Sequence, residues 1–186
     1  FRVQVDDNVL HYVDITTVKV IDPVNWHCLG LTLALKTSYE FNLTLKAEID
    51  GQVLNQNVAR YRQFDSQEFD VTATKPGLML LSTKTTAVDI AIAAQSSLDV
   101  AAHKEVVVEA TKLSDHYQLQ LAPQQTVNLS RVMAVATSLE TPGNLATFTT
   151  ETIEKQTCKK MQMSSQNYWQ QFWHEKDVHI VGDDAI

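Results

Sequence analysis

No apolar run in these 186 residues approaches the roughly 20 needed to cross a bilayer as a helix. Basic residues are outnumbered, 15 Lys and Arg against 22 Asp and Glu, for a net charge of −7. That balance argues against nucleic acid or an anionic membrane as partner, because both reward clustered cations. Five glycines leave little material for a phosphate-cradling loop. The only cysteines, Cys28 and Cys158, lie far apart, and neither has a second ligand at metal spacing. A disulfide between them has no support in the sequence, and the expected setting is a reduced, cytoplasmic one. The opening FRVQVDDNVL is strand-like and lacks both an initiator Met and the basic-then-apolar layout of a signal peptide. It fits a fragment or a processed form.

Chemistry-bearing motifs are equally scarce. No G-x-S-x-G nucleophile turn occurs. His174 and His179 in HEKDVH stand five apart, about 140° around a helix, whereas a zinc-binding helix needs them four apart. His11, His27, His103 and His116 read as hydrogen-bonded or solvated surface histidines. Asp6-Asp7 and Asp183-Asp184 are adjacent, so along a strand they point to opposite faces and are no acid/base pair. The sequons at Asn42 and Asn128 fall in strand-like alternation and read as chance. ARYRQFDSQ, residues 59–67, is the one polar and aromatic cluster and reads as a solvated loop. No catalytic, cofactor-binding or metal-binding residue is assigned.

What is present is alternation of period two. LGLTLALK puts Leu29, Leu31, Leu33 and Leu35 on one face; FNLTLKAEID does the same for Phe41, Leu43, Leu45, Ala47 and Ile49. The short Thr37–Glu40 link predicts that these two strands form a hairpin, and Asp50-Gly51 predicts a tight turn with positive φ. Further strands are expected at Gln67–Thr74, Leu78–Thr85, Val88–Ala94, Glu105–Leu113, Tyr117–Leu121 and Thr126–Ser138. Pro76-Gly77, Ser96–Asp99, Ser114-Asp115 and Ala122-Pro123 are read as the breaks between them. With no helix among them, the fold class is mainly β, an antiparallel β-sandwich.

The period changes at Thr141-Pro142, read as an N-cap and first helical residue. Leu145, Phe148, Thr149, Thr152 and Ile153 then follow helical spacing, and a second helix is expected over Met161–Lys176. At about 100° per residue, Met161, Tyr168, Trp169, Phe172 and Trp173 fall within about 140° of arc. Such a stripe reads as packing. At the end of the chain the stripe must face either the sandwich or something not present in this sequence. Of the two, the helix is expected to fold back on the sandwich and bury Trp173.

AEIDGQVLNQNVARYRQFDSQ, then YQLQLAPQQTVNLSRVMAVATSLE, then YWQQFWHEKDVHIVGDDAI together resemble the amino-terminal β-sandwich of glycoside hydrolase family 65. The resemblance runs from about Pro23 to Ile186, with the last twenty residues its most specific part. It implies a galactose mutarotase-like supersandwich over residues 1–140 and linker helices over 141–176. Residues 177–186 would be a strand leading into an (α/α)6 catalytic barrel that lies outside this sequence. The family includes phosphorylases of maltose, trehalose, kojibiose and nigerose, and acid trehalases. It implies an enzyme that cleaves the glycosidic bond of an α-linked glucose disaccharide with inorganic phosphate and inverts the anomeric carbon, giving β-glucose 1-phosphate and glucose. The catalytic and phosphate-binding residues belong to the barrel, so this portion is expected to be inactive by itself and to support the barrel and subunit contacts in a homodimer. Two other classes stand beside it: a carbohydrate-binding module that acts alone, and a structural interaction domain of another family.

Overall fold

A computed structural model describes residues 1–8, 10–52 and 68–176. The strands are β1 (Arg2–Gln4), β2 (Tyr12–Ile21), β3 (Cys28–Thr37), β4 (Phe41–Asp50), β5 (Phe69–Lys75), β6 (Leu78–Thr83), β7 (Asp89–Leu98), β8 (His103–Val108), β9 (Lys112–Leu121) and β10 (Thr126–Thr137). Two helices follow, α1 (Leu145–Glu154) and α2 (Cys158–Lys176). Seven strands form one sheet in the order β1-β2-β3-β10-β7-β6-β5; the other, β4-β9-β8, has three among the described residues. Every recorded pairing is antiparallel, as expected for the sandwich.

The large sheet is covered on both faces. Along β10, Val127 and Leu129 pack with Tyr117, Leu119, Leu121 and Ala47 of the small sheet. The opposite parity, Val132 and Ala134, packs with Cys28, Ala93, Ile153, Cys158 and Met161 beneath the helices. A second inter-sheet cluster joins Met79 and Leu81 to Leu113. Between the two inter-sheet clusters lies buried Arg131, whose Nη1 donates to Ser96 Oγ at 3.1 Å, while Tyr117 donates its hydroxyl to Ser96 O at 2.8 Å. Burial lowers the Arg131 pKa from its ordinary value, and nearby Asp115 and Tyr117 oppose the shift.

Several expectations are corrected. The strands around Thr37–Glu40 are not a hairpin: β3 pairs with β2 and β10, and β4 pairs with β9 in the other sheet. The link is a crossover held by Thr37 N to Gln125 O and Ser38 N to Tyr12 O, bonds that commit the end of β3 to its own sheet. The expected strand Glu105–Leu113 is split, because the chain reverses between β8 and β9, with Glu109 N donating to Lys112 O. β9 then runs straight through Ser114-Asp115, and β7 through Ser96, where breaks were expected. Both polar sites have inward partners: Ser96 serves Arg131 and Tyr117, and Asp115 pairs with Lys104 at 3.2 Å. β2 was missed altogether because its alternation slips phase at Thr16-Thr17, from Val13 and Ile15 to Val18 and Val20.

Gly51 is not among the residues of positive φ. It is needed for room, since a Cβ there would meet Val71 and lie 3.1 Å from Met79 Sδ and 3.2 Å from Thr111 O. Gly143, at φ 93°, delays the first helix by turning the chain once more. Thr141 is drawn into the interior, and Asn144 becomes the N-cap, its side chain accepting from Thr147 N at 3.0 Å. The second helix begins at Cys158, earlier than expected, where Thr157 Oγ1 accepts from Lys160 N at 3.1 Å.

Two predictions arise here. A Cβ on Gly30 would fall 2.7 Å from Met161 Cε and 3.3 Å from Cys158 Sγ, so Gly30→Ala should cost about 1–3 kcal/mol through overpacking. Denaturant titration of Gly30→Ala, Met161→Ala and the double variant checks it, since a shared contact makes the pair non-additive. Strict additivity would refute the contact. At the end of β4, the hydrogen bond from Lys112 (2.8 Å to Asp50 Oδ2) and then that from Gln52 N hold the Asp50 pKa below 3.8. A lowered carboxylate contributes stability above its unfolded pKa and loses it as pH falls through the folded one. Lys112→Ala should therefore raise the Asp50 titration midpoint toward the ordinary aspartate range, as followed by carboxyl-carbon NMR; an unmoved midpoint contradicts the assignment.

Candidate interaction surface

The helix α2 divides at its middle. Its first residues, Cys158 and Met161, are buried over β3 and β10, with the Cys158 thiol 3.5 Å from Leu31 O and 3.4 Å from Arg131 O. One turn on, Ser164 donates to Oδ1 of buried Asp22 at 2.7 Å; the same oxygen accepts from Val24 N at 3.0 Å. This clasp joins α2 to the turn between β2 and β3. From Gln166 to Lys176 every residue is exposed. At 1.5 Å per residue, that half is about 16 Å long.

The stripe is one face throughout. Taking Cys158 as zero, Met161, Trp169, Phe172 and Trp173 all lie within roughly 60° on either side, with Tyr168 just beyond. The side that packs on the sheet at the start of α2 thus continues, uncovered, past its edge. Trp169 is 47% exposed and Trp173 56%, against 0% for Met161. The expectation that Trp173 is buried against the sandwich is overturned, because the sheet ends before the helix does. The rings pack on one another instead, edge to face, with centroids 5.2 Å apart for Tyr168–Trp169, 5.5 Å for Trp169–Phe172 and 5.1 Å for Phe172–Trp173.

Beneath the overhang is a groove of about 900 Å³ lined by Ile21, Pro23, Leu29, Met133 and Trp169 among others. No carboxylate among the described residues lines it. A second groove, about 450 Å³ between the helices and β7–β10, has Glu154 as its one acid among the described residues. Among the described residues no three His, Cys, Asp or Glu side chains gather as a metal site. The histidines read from sequence have local partners: His11 Nδ1 with Asp6 Oδ2 at 2.8 Å, His116 Nε2 with Ser114 Oγ at 2.9 Å, and His27 Nδ1 with Val135 O at 2.8 Å. His103 is exposed on β8. Cys28 and Cys158 are free and buried in one cluster, and burial, then the Asp22 charge, pushes the Cys28 thiol up to about 11. Such a thiol is unreactive. The outer face of the small sheet presents Asn42, Thr44, Gln118 and Gln120 among the described residues. Residues 59–67, His179, Asp183-Asp184 and the strand expected over 177–186 lie outside the described residues.

The sequence profile described as "Glycosyl hydrolase family 65, N-terminal domain" matches residues 2–172. The chain belongs to that family. The match takes in β1 and β2, which precede the Pro23 start of the resemblance, and all but the last turn of α2. The family 65 domain is 32% identical over 170 residues to trehalose 6-phosphate phosphorylase of Lactococcus lactis subsp. lactis (strain IL1403), covering 91% of this chain and 22% of that protein. Its fold matches, with a TM-score of 0.73 at 9% identity, a protein assigned as a kojibiose phosphorylase from the human microbiome, over 88% of this chain and 22% of that one. The chain therefore spans about a fifth of the relatives it matches. Among the described residues no helix is long and apolar enough to cross a membrane.

The exposure of the stripe sets a contrast within one helix. Met161→Ala, emptying a buried site, should cost about 2–5 kcal/mol, whereas Trp173→Ala should cost less than about 1 kcal/mol. Denaturant midpoints at unchanged slope measure both. A Trp173→Ala loss as large as that of Met161→Ala would show the outer half of α2 packed down in solution.

Proposed function

We propose that this domain is the non-catalytic amino-terminal part of a cytoplasmic glycoside phosphorylase acting on an α-linked glucose disaccharide. In this reading inorganic phosphate cleaves the glycosidic bond with inversion, giving β-glucose 1-phosphate and glucose or its 6-phosphate. A helical catalytic barrel elsewhere in the polypeptide supplies the general acid and the phosphate-binding side chains. The observation that carries the proposal is the family match over residues 2–172, taken with relatives of both kinds, by sequence and by fold, that are named phosphorylases. A carbohydrate-binding module acting alone fits less well, since Trp26 has one face taken by His27, 3.8 Å away.

The test is an assay of the natural polypeptide, extended downstream to its stop codon, beside residues 1–186. Maltose, trehalose, trehalose 6-phosphate, kojibiose and nigerose are each offered with and without phosphate. The extended polypeptide should release β-glucose 1-phosphate from one of them only when phosphate is present, and residues 1–186 should release none. Phosphate-independent glucose release would make the enzyme a hydrolase; activity in residues 1–186 would overturn the non-catalytic role. Sedimentation of the active sample reads whether it is a homodimer.

A further inference from the structure

The groove between the helices and β7–β10 has two walls. One is a face of the large sheet, where Gln95 and Ser97 of β7 stand opposite Val132 and Ser130 of β10 in the antiparallel register. The other is the junction of α1 and α2, between Ile153 and Lys159. Val132, Ile153 and Cys158 belong to the buried cluster under the helices and give the groove an apolar floor. The junction is held by its own bonds: Gln156 N donates to Ile153 O at 3.2 Å, Lys160 N to Thr157 Oγ1 at 3.1 Å, and the Cys158 thiol to Arg131 O at 3.4 Å. The walls are therefore set by the fold before any ligand arrives, which lowers the ordering cost of binding.

These walls present free hydrogen-bonding groups. Among the described residues, the side chains of Gln95, Ser97, Ser130, Glu154 and Lys159 line the groove without a hydrogen-bond or ion-pair partner. Their polar neighbours are closed off: Asn128, on the same face of β10, gives N and Nδ2 to Asp99 at 2.8 and 2.6 Å, Thr149 donates to Leu145 O at 2.9 Å, and Lys155 pairs with Glu151 at 3.7 Å. We propose that the groove is a binding site for a saccharide. Each hydroxyl of a sugar both donates and accepts. The Gln95 amide sets a donor beside an acceptor, the two serines serve in either sense, Glu154 accepts and Lys159 donates. The two charges are of opposite sign, which suits a neutral ligand, whereas a phosphate would meet the Glu154 carboxylate. Val132 and Ile153 receive the C–H face of a pyranose ring. An apolar floor with a few convergent polar groups is the usual design of a small-molecule site, and 450 Å³ lies within the roughly 300–1,000 Å³ that such sites occupy. The inference does not rest on the reaction proposed above; it requires only that the groove stay open in the natural polypeptide.

The experiment is a methyl-TROSY NMR titration of the natural polypeptide with maltose and with trehalose, in the absence of phosphate so that phosphorolysis cannot proceed. The methyls of Val132 and Ile153 report the groove floor, and those of Val106 on β8 serve as a remote reference. At least one of the sugars should move the Val132 and Ile153 signals saturably and leave Val106 in place. Gln95 and Glu154 are exposed, so truncating either leaves the fold intact. Gln95→Ala and Glu154→Ala should each weaken the binding about three- to ten-fold, while Asn42→Ala, on the outer face of the small sheet, leaves it unchanged. Floor methyls that stay fixed with both sugars would overturn the inference, as would binding that survives both groove substitutions undiminished. So would movement of the same methyls by inorganic phosphate and by neither sugar, which would make the groove an anion site. A phosphorolysis assay on the same sample keeps the two proposals apart. Saturable floor shifts in a polypeptide that releases no glucose 1-phosphate leave the saccharide site standing and sink the assigned reaction; phosphorolysis with silent floor methyls does the reverse.

Discussion

β10 is the strand on which the rest depends. It lies inside the large sheet between β3 and β7, and both of its faces are covered. One parity of side chains makes the core shared with the small sheet; the other makes the floor on which α1 and α2 lie. A strand buried on both sides needs apolar residues of both parities, and the run from Val127 to Ala136 supplies them, with Arg131 as the exception. The exception is tolerated because Ser96 answers it from the neighbouring strand and Asp115 lies near enough to favour its charge. Close approach over β3 then requires Gly30, since any side chain there would occupy the place of the Met161 methyl.

Seen from this strand, the legible and illegible parts of the sequence separate by physical cause. Alternation reports that a residue run has one buried face, and on that ground β4, β6 and β10 were readable to within a few residues. It does not report which strand lies alongside. Leu29–Leu35 and Phe41–Ile49 look like a hairpin because each has a clean apolar face and the link is short. They belong to different sheets because the backbone groups of Thr37 are already taken by the Gln124–Gln125 turn. The same limit hid β2, whose buried face changes along its length: Val13 and Ile15 occupy one face, and Val20 lies on the other against Gly30. A helix lying across only part of a sheet produces that phase slip, and nothing local in the strand announces the helix.

The site divides along a similar line. That Trp169, Phe172 and Trp173 share a face with Met161 follows from helical spacing alone. Where the sheet beneath them stops is a property of how far β2 and β3 extend, set by a turn whose Asp22 clasp pairs residues far apart in sequence. Burial of Trp173 was therefore the wrong inference from the right stripe. The clasp itself had no readable signal, since Asp22 precedes Pro23 in what looks like an ordinary turn and Ser164 is one of two adjacent serines on a polar stretch.

One question is why the aromatic half of α2 stays out in solution. Folding it down would require the helix to bend near Ser164–Ser165, giving up consecutive backbone hydrogen bonds, each worth about 0.5–1.5 kcal/mol net. It would also require a surface to receive four large rings, and the end of the large sheet is occupied by the turn that holds the helix in place. Packed edge to face, the rings already shield part of one another, each such pair contributing about 0.5–1.5 kcal/mol beyond area alone. Local terms thus keep the helix straight, and the remaining apolar area is left for an external surface to cover. A straight arm with its rings in register is already in the shape a rigid partner requires, so little ordering cost remains when contact is made.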